Sequence, residues 1–482
     1  MDFKAIASAI PALLAASTAF AEPATPEGAA RLTAVFQAYL GTVSGVVTVA
    51  AEGEVYTLTL DATPLLAMAP PEAGTFAISP MVMELTDNGD GTWGVTQDQA
   101  LSARIVIPGA AEISIDMESV SSEGVFDEAM MTYASSTSEF GKITIVEKIT
   151  SPGQPPVDVT ITMESGSYES TVTPNAEGGV DGSTSYSLLG TRQVMMMPPM
   201  GEGMPPMPIT VTIAEQEQSS DLTGFRPEAV LELLEWAVAH PSPEAMQADM
   251  AGLKAVIEGG LPFFAALTAA STMTGISVDT PMGVVGIASA AIEIDANGVV
   301  ADGMFREAIT LSGLTLPDAM LPPWAGPLLP SDLALDVTVS GFDLASPAAI
   351  MMALFDMPPG SEPDAAMQEA ALLALLPEGA VEITLAPGSV TGAGYELSYE
   401  GAMTAGPMGA PAGSATVTLT GIDAIMAALN AAPDDVKSQS LPMLGMAQGM
   451  AVPGEGGELV WEIDATMPGS LKVNGMDMMG GR

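Results

Sequence analysis

Cysteine is absent from the 482 residues, so disulfides, thiolate metal sites and cysteine nucleophiles are excluded. Histidine occurs once, at His240. Zinc sites usually combine several imidazole or thiolate ligands, and a Ser-His-Asp triad needs a histidine, so either chemistry would depend on this single ring. His240 precedes Pro241 after an apolar, helix-forming run, a pattern typical of a helix C-terminus.

Basic residues are also scarce. The sequence has 12 Lys or Arg against 59 Asp or Glu, a formal net charge of −47. Because a nucleic-acid-binding surface needs clustered cations, this balance excludes nucleic acid as a partner, and it disfavours other anionic partners. Only 15% of residues are charged and 48% are hydrophobic, which is too apolar for an acidic disordered tail. We therefore expect a folded protein with a strongly negative surface.

Long hydrophobic runs are missing beyond the N-terminus, and no later segment reaches the roughly 18 apolar residues of a transmembrane helix. Residues 1–21 have the pattern of a cleaved signal peptide, since Lys4 precedes an apolar run and Ala19-Phe20-Ala21 matches the small-x-small cleavage rule. We expect export to the periplasm or, alternatively, to the extracellular medium. Removing Asp2 and Lys4 together leaves the charge at −47, so the acidity belongs to the mature protein.

Short runs rich in Val, Ile and Thr, separated by Gly, Asp and Asn, recur along the chain and predict β-strands. In Val157–Met163, Thr alternates with aliphatic residues, which indicates one hydrated and one buried face. Thr25, Pro26 and Gly41 mark the ends of an N-terminal helix. Asn297-Gly298 predicts a tight hairpin turn between two strands. The expected fold class is α+β, with extended, curved antiparallel β-sheets and helices packed on one face, mainly in the C-terminal half.

The same patterns predict an organisation in four parts. They are the signal peptide (1–21), an N-terminal helix plus β-rich region (22–220), a helical segment (221–272, with a helix over Pro262–Ala270), and a strand-helix C-terminal region (273–482). In three places a strand ends in Gly-apolar and a helix follows, at Gly224, Gly341 and Gly421. The intervals are unequal, so a fixed-period repeat is unsupported. Degenerate duplication and an ordinary preference for glycine at strand-to-helix turns both explain the pattern.

One glycine-rich segment formally matches a nucleotide-binding motif. Gly89, Gly91 and Gly94 fit the dinucleotide fingerprint, but a strand rather than a helix is expected to follow. Asp87 begins a run resembling a calcium loop, yet glycines stand where that loop needs oxygen ligands. Asp and Gly are typical turn residues, so we predict a hairpin turn here.

A methionine-rich segment contains the candidate metal ligands. Thioethers suit soft ions such as Cu(I), and the candidates are Met195, Met196, Met197, Met200, Met204 and Met207. The same segment is rich in Pro and Gly, which predicts a flexible insertion in a hairpin in which Met fills irregular apolar surface.

No residue pattern identifies a catalytic group or a cofactor. The sequence has neither a Gly-x-Ser-x-Gly elbow nor a P-loop, and its many carboxylates cannot be sorted into a glycosidase-like pair by spacing. The function we expect is that of an exported, non-enzymatic protein that binds a lipid or another apolar ligand, or an envelope partner, in a groove of a sheet. The alternatives are copper binding through residues 195–207 and a secreted hydrolase that uses carboxylates.

The export signal, the absence of cysteine, the Gly-apolar-helix units and the ending Leu471-Lys-Val-Asn474-Gly475 resemble a family of secreted alphaproteobacterial proteins known only as a domain of unknown function. The resemblance implies periplasmic residence and supplies no catalytic residues. The segment Leu328–Ser340, followed by Gly341-Phe342-Asp343, also resembles envelope proteins with long curved sheets that shield lipid, such as the AsmA-like group. That likeness concerns the fold alone.

Overall fold

The computed structural model describes residues 23–68, 70, 74–150, 155–197, 207–356, 365–407, 410–467 and 469–478. The predicted signal peptide lies outside these residues. In the described part, the chain forms one antiparallel sheet in which neighbours in sequence are neighbours in space. The antiparallel β-rich fold expected from the sequence is therefore confirmed.

The strands are β1 (Val47–Glu52), β2 (Val55–Leu60), β3 (Thr75–Ile78), β4 (Met81–Asp87), β5 (Thr92–Ile107), β6 (Ala111–Asp127), β7 (Thr132–Phe140), β8 (Ile143–Ile149), β9 (Val157–Met163), β10 (Ser165–Pro174), β11 (Val180–Met197), β12 (Met207–Phe225), β13 (Ala266–Thr280), β14 (Gly283–Asn297), β15 (Gly303–Ser312), β16 (Pro330–Phe342), β17 (Val381–Gly392), β18 (Tyr395–Ala405), β19 (Ala412–Thr420), β20 (Val452–Pro453), β21 (Leu459–Asp464), β22 (Lys472–Val473) and β23 (Met476–Asp477).

Three pairs of consecutive short strands lie end to end and together span one long neighbour. Strands β3 and β4 both pair with β5, β7 and β8 both pair with β6, and β9 and β10 both pair with β11. Each such pair therefore occupies the place of a single interrupted strand, and the sheet remains a simple up-and-down meander.

The helices are α1 (Pro26–Leu40), α2 (Thr63–Leu66), α3 (Pro227–Ala239), α4 (Pro243–Ala248), α5 (Met250–Gly260), α6 (Ala345–Met352), α7 (Ala365–Leu375), α8 (Ile422–Ala431) and α9 (Asp434–Met450). Short 3-10 turns occur at Asp318–Met320, Gly326–Leu328 and Ala353–Asp356. No helix in these described ranges is long and apolar enough to cross a membrane.

Helix α1 begins and ends at the residues that the sequence indicates. The Thr25 side chain accepts a hydrogen bond from the Gly28 N–H, Pro26 is the first helical residue, and Gly41 ends the helix with φ of 88°. The helix packs its apolar stripe on the first strands and closes a cluster of nine buried residues: Ala29, Leu32, Val46, Val47, Tyr56, Leu58, Leu85, Trp93 and Val95. Because the helix that closes this cluster lies near the N-terminus, the expectation that helices pack on the sheet mainly in the C-terminal half is not confirmed.

The three Gly-apolar-helix units are strand-to-helix turns with left-handed glycines. Gly224, Gly341 and Gly421 have φ of +63°, +79° and +72°. In this left-handed region of the backbone a residue with a side chain would be strained. After each turn the chain forms helices and then returns beside the strand it left, giving the pairs β12–β13, β16–β17 and β19–β21. Since β12 and β13 pair directly, the strands before and after the predicted helical segment belong to one sheet.

Two local predictions were wrong. The helix expected over Pro262–Ala270 is instead the start of β13, whose residues from Ala266 onwards pair with both β12 and β14. Pairing on two sides outweighs the local helix preference of Ala and Leu. The tight turn expected at Asn297-Gly298 is a longer connection to Gly303, in which Asn297 Nδ2 donates to the Asp302 carbonyl at 2.7 Å.

Candidate functional site

A continuous row of mostly apolar side chains crosses the sheet. Directly paired residues of antiparallel strands project to the same face, so the strand register defines this row. The apolar row comprises Gln99, Val120, Phe140, Gly166, Leu188, Gln216, Met273, Ala290, Leu311, Leu333, Val390, Leu397, Leu419 and Leu459. These residues come from fourteen strands, and thirteen steps of roughly 4.8 Å give a length of about 60 Å along the sheet.

A second row on the same face is almost entirely aliphatic. Gln99 and Ala103 are four residues apart on β5 and therefore point to one side. The register then joins Ala103 to the rest of the row: Ile78, Ala103, Ile115, Ile145, Ile161, Gln193, Val211, Val278 and Val285. We call the side of the sheet that carries both rows the apolar face.

The opposite side is rich in hydroxyls and carboxylates, and we call it the hydroxyl face. Its residues adjacent to the apolar row are Asp98, Ser121, Glu139, Ser167, Ser187, Glu217, Thr272, Ala291, Thr310, Ala334, Ser389, Ser398, Thr418 and Val460. The sheet is therefore amphipathic across its whole width, as expected when one face is hydrated and the other is not.

The middle of the apolar face is buried. Val120, Ile143, Val159 and Leu188 lie on it in β6–β11 and are 4–9% exposed. Large aliphatic side chains on the hydroxyl face of the same strands are far more exposed, with values of 37–43% for Val146, Leu189 and Met196. The middle of the apolar face is therefore shielded from solvent, up to the end of β8 at Ile149, which is 43% exposed.

Further along the sheet the apolar face opens to solvent. Ile292 on β14, Phe305 on β15 and Met403 on β18 belong to it and are 37–39% exposed. Exposed apolar surface that continues a buried apolar track is the kind of feature that binds apolar ligands or partners. We therefore take the apolar face, and its open part over β14–β18, as the candidate functional site.

A line of left-handed glycines separates the two rows. Gly190 on β11, Gly275 on β13 and Gly313 directly after β15 have φ of +60° to +65°. A Cβ on Gly275 would lie 2.8 Å from that of Ala214, and a Cβ on Gly313 would lie 2.6 Å from that of Ala288. Glycines inside strands mark bends and close backbone approaches. We interpret this line of glycines as a crease in the sheet.

The hydroxyl face carries two shallow depressions, of about 480 and 510 Å³, that share Thr137, Ser138 and Glu139. Their walls are Ser, Thr, Glu, Asp and Gln, with few apolar side chains. Such surfaces remain hydrated, so they do not match the apolar ligand expected from the sequence.

Arg306 is the centre of an ion-pair network on the hydroxyl face. Its guanidinium nitrogens lie 2.8 Å from Asp336 Oδ2, 2.8 Å from Asp295 Oδ2 and 3.2 Å from Glu293 Oε2. The hydrogen bonds that Arg306 donates to Asp336 and Asp295 raise the pKa of Arg306 further above its usual range, and the bond to Asp295 lowers the pKa of Asp295. The network ties β14, β15 and β16 together.

The glycine-rich segment at residues 87–94 is the predicted hairpin turn between β4 and β5. Asp87 Oδ1 accepts from the Gly89 N–H at 2.8 Å, and Gly89 and Gly91 have positive φ. Asp90 accepts from the Thr92 side chain and backbone, which lowers the pKa of Asp90. Similar hydrogen bonds lower the pKa of Asp61, Asp181, Asp343 and Asp464. None of these shifts is the upward shift that a catalytic general acid requires.

His240 lies directly after the last residue of α3, as the sequence predicts. Its ring stacks on Trp236 with a centroid distance of 4.4 Å, and Nδ1 lies 2.7 Å from the Trp236 carbonyl. Nε2 lies 3.3 Å from Asp249 Oδ2, the atom that also accepts from Trp236 Nε1 at 3.2 Å. Sequence reasoning missed the partner, Asp249, which joins α3 to α5.

The six candidate methionines fall into three groups. Met195, Met197 and Met207 lie on the apolar face at the end of the β11–β12 hairpin, where Met197 pairs directly with Met207. Met196 is opposite Pro208 and projects to the hydroxyl face. Met200 and Met204 lie outside the described residues. The copper site remains a prediction, for which the described hairpin supplies three thioethers on one side.

In the described ranges, no group of three or more His, Asp or Glu side chains could hold a metal ion. Comparison of the chain with known protein families, with curated proteins and with solved structures gave no match. The family resemblances noted from the sequence therefore remain expectations.

Proposed function

We propose that this chain is an exported, non-enzymatic protein of the cell envelope that binds an extended apolar ligand, such as the acyl chains of a lipid, along its apolar face. The observation that supports this most directly is the apolar row of about 60 Å. The hydrocarbon core of a bilayer is about 30 Å thick, so the row exceeds the combined length of two opposed acyl chains.

The two-sided character of the sheet supports the same proposal. The hydroxyl face, with much of the −47 charge, keeps one side hydrated while the other side excludes water from a ligand. The exposed Ile292, Phe305 and Met403 supply the place where an acyl chain first enters. Export to the periplasm remains a prediction from residues 1–21.

Native mass spectrometry of the protein purified from its own periplasm tests the proposal. We expect lipid adducts, or uptake of added phospholipid by the delipidated protein. Ile309→Asn replaces an aliphatic side chain of the apolar face, between Ile292 and Leu335, by a polar side chain without adding charge, and should reduce the adducts. Thr310→Asn is the matched control, because it introduces the same side chain one residue away on the hydroxyl face. A wild-type protein that carries no lipid and takes up none contradicts the proposal.

A second candidate function is Cu(I) binding, and the shared orientation of Met195, Met197 and Met207 is the observation that favours it. Titration with Cu(I) against a competing chelator should give a bound ion that is lost when these three residues are replaced by Leu. Met443 and Met446, which are 67% and 61% exposed on α9, provide the control replacements. Unchanged copper stoichiometry in the triple variant rules this function out.

A further inference from the structure

Two carboxylates interrupt the apolar face. Glu147 on β8 lies directly across from Ile113 and Val159, and Ile145 and Ile149 stand two residues away along its own strand. Its nearest positions on the same face are therefore all aliphatic. In the described strands β5–β19, one other carboxylate lies on this face.

That second carboxylate is Glu307 on β15. It lies across from Ile294 and Val337, with Phe305 and Ile309 two residues away along the strand. Six strand-to-strand steps separate Glu147 from Glu307, which corresponds to about 29 Å along the sheet. The two carboxylates are therefore separate charges on one apolar surface and not a cluster.

The basic residues of the same strands are all on the other side. Arg104 pairs in register with Ser114, Lys148 with Glu112 and Asp158, and Arg192 with Thr162, all on the hydroxyl face. Arg306 is there too, in its network with Glu293, Asp295 and Asp336. Among the described residues of β5–β19, the apolar face thus carries carboxylates and no Lys or Arg.

A carboxylate in apolar surroundings loses hydration, and a cation that approaches it restores the lost interaction energy. The ligand that complements this face consequently has a hydrocarbon chain for the aliphatic rows and a positive charge for Glu147 or Glu307. The field of a protein with a charge of −47 adds to this preference, because it attracts cations and repels anions.

We propose that the apolar face selects amphiphiles whose head group carries an ammonium, with Glu147 and Glu307 as its two counter-charges, and that it rejects amphiphiles with anionic head groups. This inference rests on the proposed binding of apolar chains and names the class of ligand. The separation of the two carboxylates gives two binding points, each for one head group.

Calorimetric titration of the full mature chain at moderate salt, below the micelle concentration of each probe, tests the inference. The probes are dodecyltrimethylammonium, the neutral dodecyl maltoside, dodecanoate, and tetramethylammonium, which has the head group without a chain. We expect the wild type to bind dodecyltrimethylammonium most tightly, dodecyl maltoside less tightly, and the other two weakly. Loss of one charged contact in Glu147→Gln or Glu307→Gln should weaken dodecyltrimethylammonium binding about tenfold at the altered point, with dodecyl maltoside unaffected.

Glu123→Gln is the matched control, since it removes the same charge from the hydroxyl face, where Glu123 lies between Thr96 and Thr137. It should leave all affinities within about twofold of the wild type. Glu147→Lys should reverse the preference in favour of dodecanoate. Circular dichroism and thermal unfolding verify that each variant is folded before titration.

The outcomes separate the two proposals. If dodecyl maltoside does not bind the wild type, the proposed function itself fails. If dodecyl maltoside binds but Glu147→Gln and Glu307→Gln behave like Glu123→Gln, apolar binding stands and the ammonium selectivity is wrong. Tight binding of tetramethylammonium alone would likewise overturn the inference, because it would indicate a small-cation site that has no need of the apolar face.

Discussion

Replacement of Arg306 by Gln should destabilise the sheet strongly, because it leaves three carboxylates facing one another. The side chains of Arg306, Asp295 and Asp336 are 29%, 25% and 25% exposed, whereas Glu293 is 55% exposed. Breaking a fully buried ion pair costs about 3–5 kcal/mol, and an exposed pair is worth about 1 kcal/mol or less. For this partly buried network we expect a loss of about 3 kcal/mol in the free energy of unfolding at neutral pH and low salt.

Urea unfolding followed by circular dichroism measures this loss, and its pH dependence gives a second check. The bond from Arg306 lowers the pKa of Asp295 in the folded state. The stabilising contribution of the Arg306–Asp295 pair is therefore complete above the ordinary Asp pKa, about 3.9, and is lost as the pH falls through the lower pKa that Asp295 has in the folded state. The difference in unfolding free energy between the wild type and Arg306→Gln should accordingly become smaller at acid pH.

Arg192→Gln is the control, because Arg192 stands on the same face in register with Thr162 and Thr212, away from this network. A loss below about 0.5 kcal/mol is expected for this exposed residue. Equal losses of unfolding free energy in the two variants would refute the reasoning. So would a difference between the wild type and Arg306→Gln that stays constant from neutral to acid pH.

Three further predictions concern the crease, the helix junction and the core. Gly275→Ala should lower the free energy of unfolding by about 2 kcal/mol or more, because φ is +60° and the new Cβ meets the Cβ of Ala214. Gly53→Ala is the control, at a hairpin turn with φ of +68° and open space around the new Cβ, and should cost about 1 kcal/mol. Asp249→Ala should lower the free energy of unfolding in urea by about 2 kcal/mol, because Asp249 caps α5 through the Gly252 N–H and accepts a hydrogen bond from Trp236 Nε1. Asp249→Asn should keep the cap and cost about half as much. Leu58→Ala should lower the free energy of unfolding by about 3–5 kcal/mol, because the Leu58 side chain is 1% exposed. Leu373→Ala, at a side chain that is 56% exposed, should cost under about 1 kcal/mol. Equal shifts in the melting temperature of the two variants would contradict the assignment of the core.

Local signals predicted those elements whose cause is local. Thr25, Pro26 and Gly41 gave the bounds of α1, and the three glycines at 224, 341 and 421 marked strand-to-helix turns, because caps and left-handed turns depend on a few adjacent residues. The sequence also suggested export and an apolar ligand. Neither is tested by the fold, and both remain proposals.

The alternation signal in the sequence is weak for strands β7 and β10, because their two faces differ little in polarity. Strands β7 and β10 have the sequences TYASSTSEF and SGSYESTVTP, in which Ser and Tyr stand on the apolar face and Ser, Thr and Glu on the other. Without aliphatic alternation the period-2 signal is weak. These strands are held by pairing with neighbours on both sides, and that pairing is non-local.

The candidate site depends entirely on such non-local register. The apolar row joins residues from Gln99 to Leu459, and no window of sequence contains more than a few of them. The isolation of Glu147 and Glu307 from every strand Arg and Lys likewise follows only from which residues face each other. A single-residue change of register would exchange the two faces, so sequence pattern alone could not predict either feature.

Site-specific crosslinking tests the central claim, that the apolar face is where a lipid chain binds. The chain contains no cysteine, so single cysteines can be introduced at Phe305 on the apolar face and at Thr310 on the hydroxyl face, and each labelled with a photoreactive benzophenone. After irradiation with extracted envelope lipids, the account predicts lipid attached to the protein labelled at position 305 and little at position 310, as measured by mass spectrometry. Equal attachment at the two positions, or attachment at 310 alone, would contradict it.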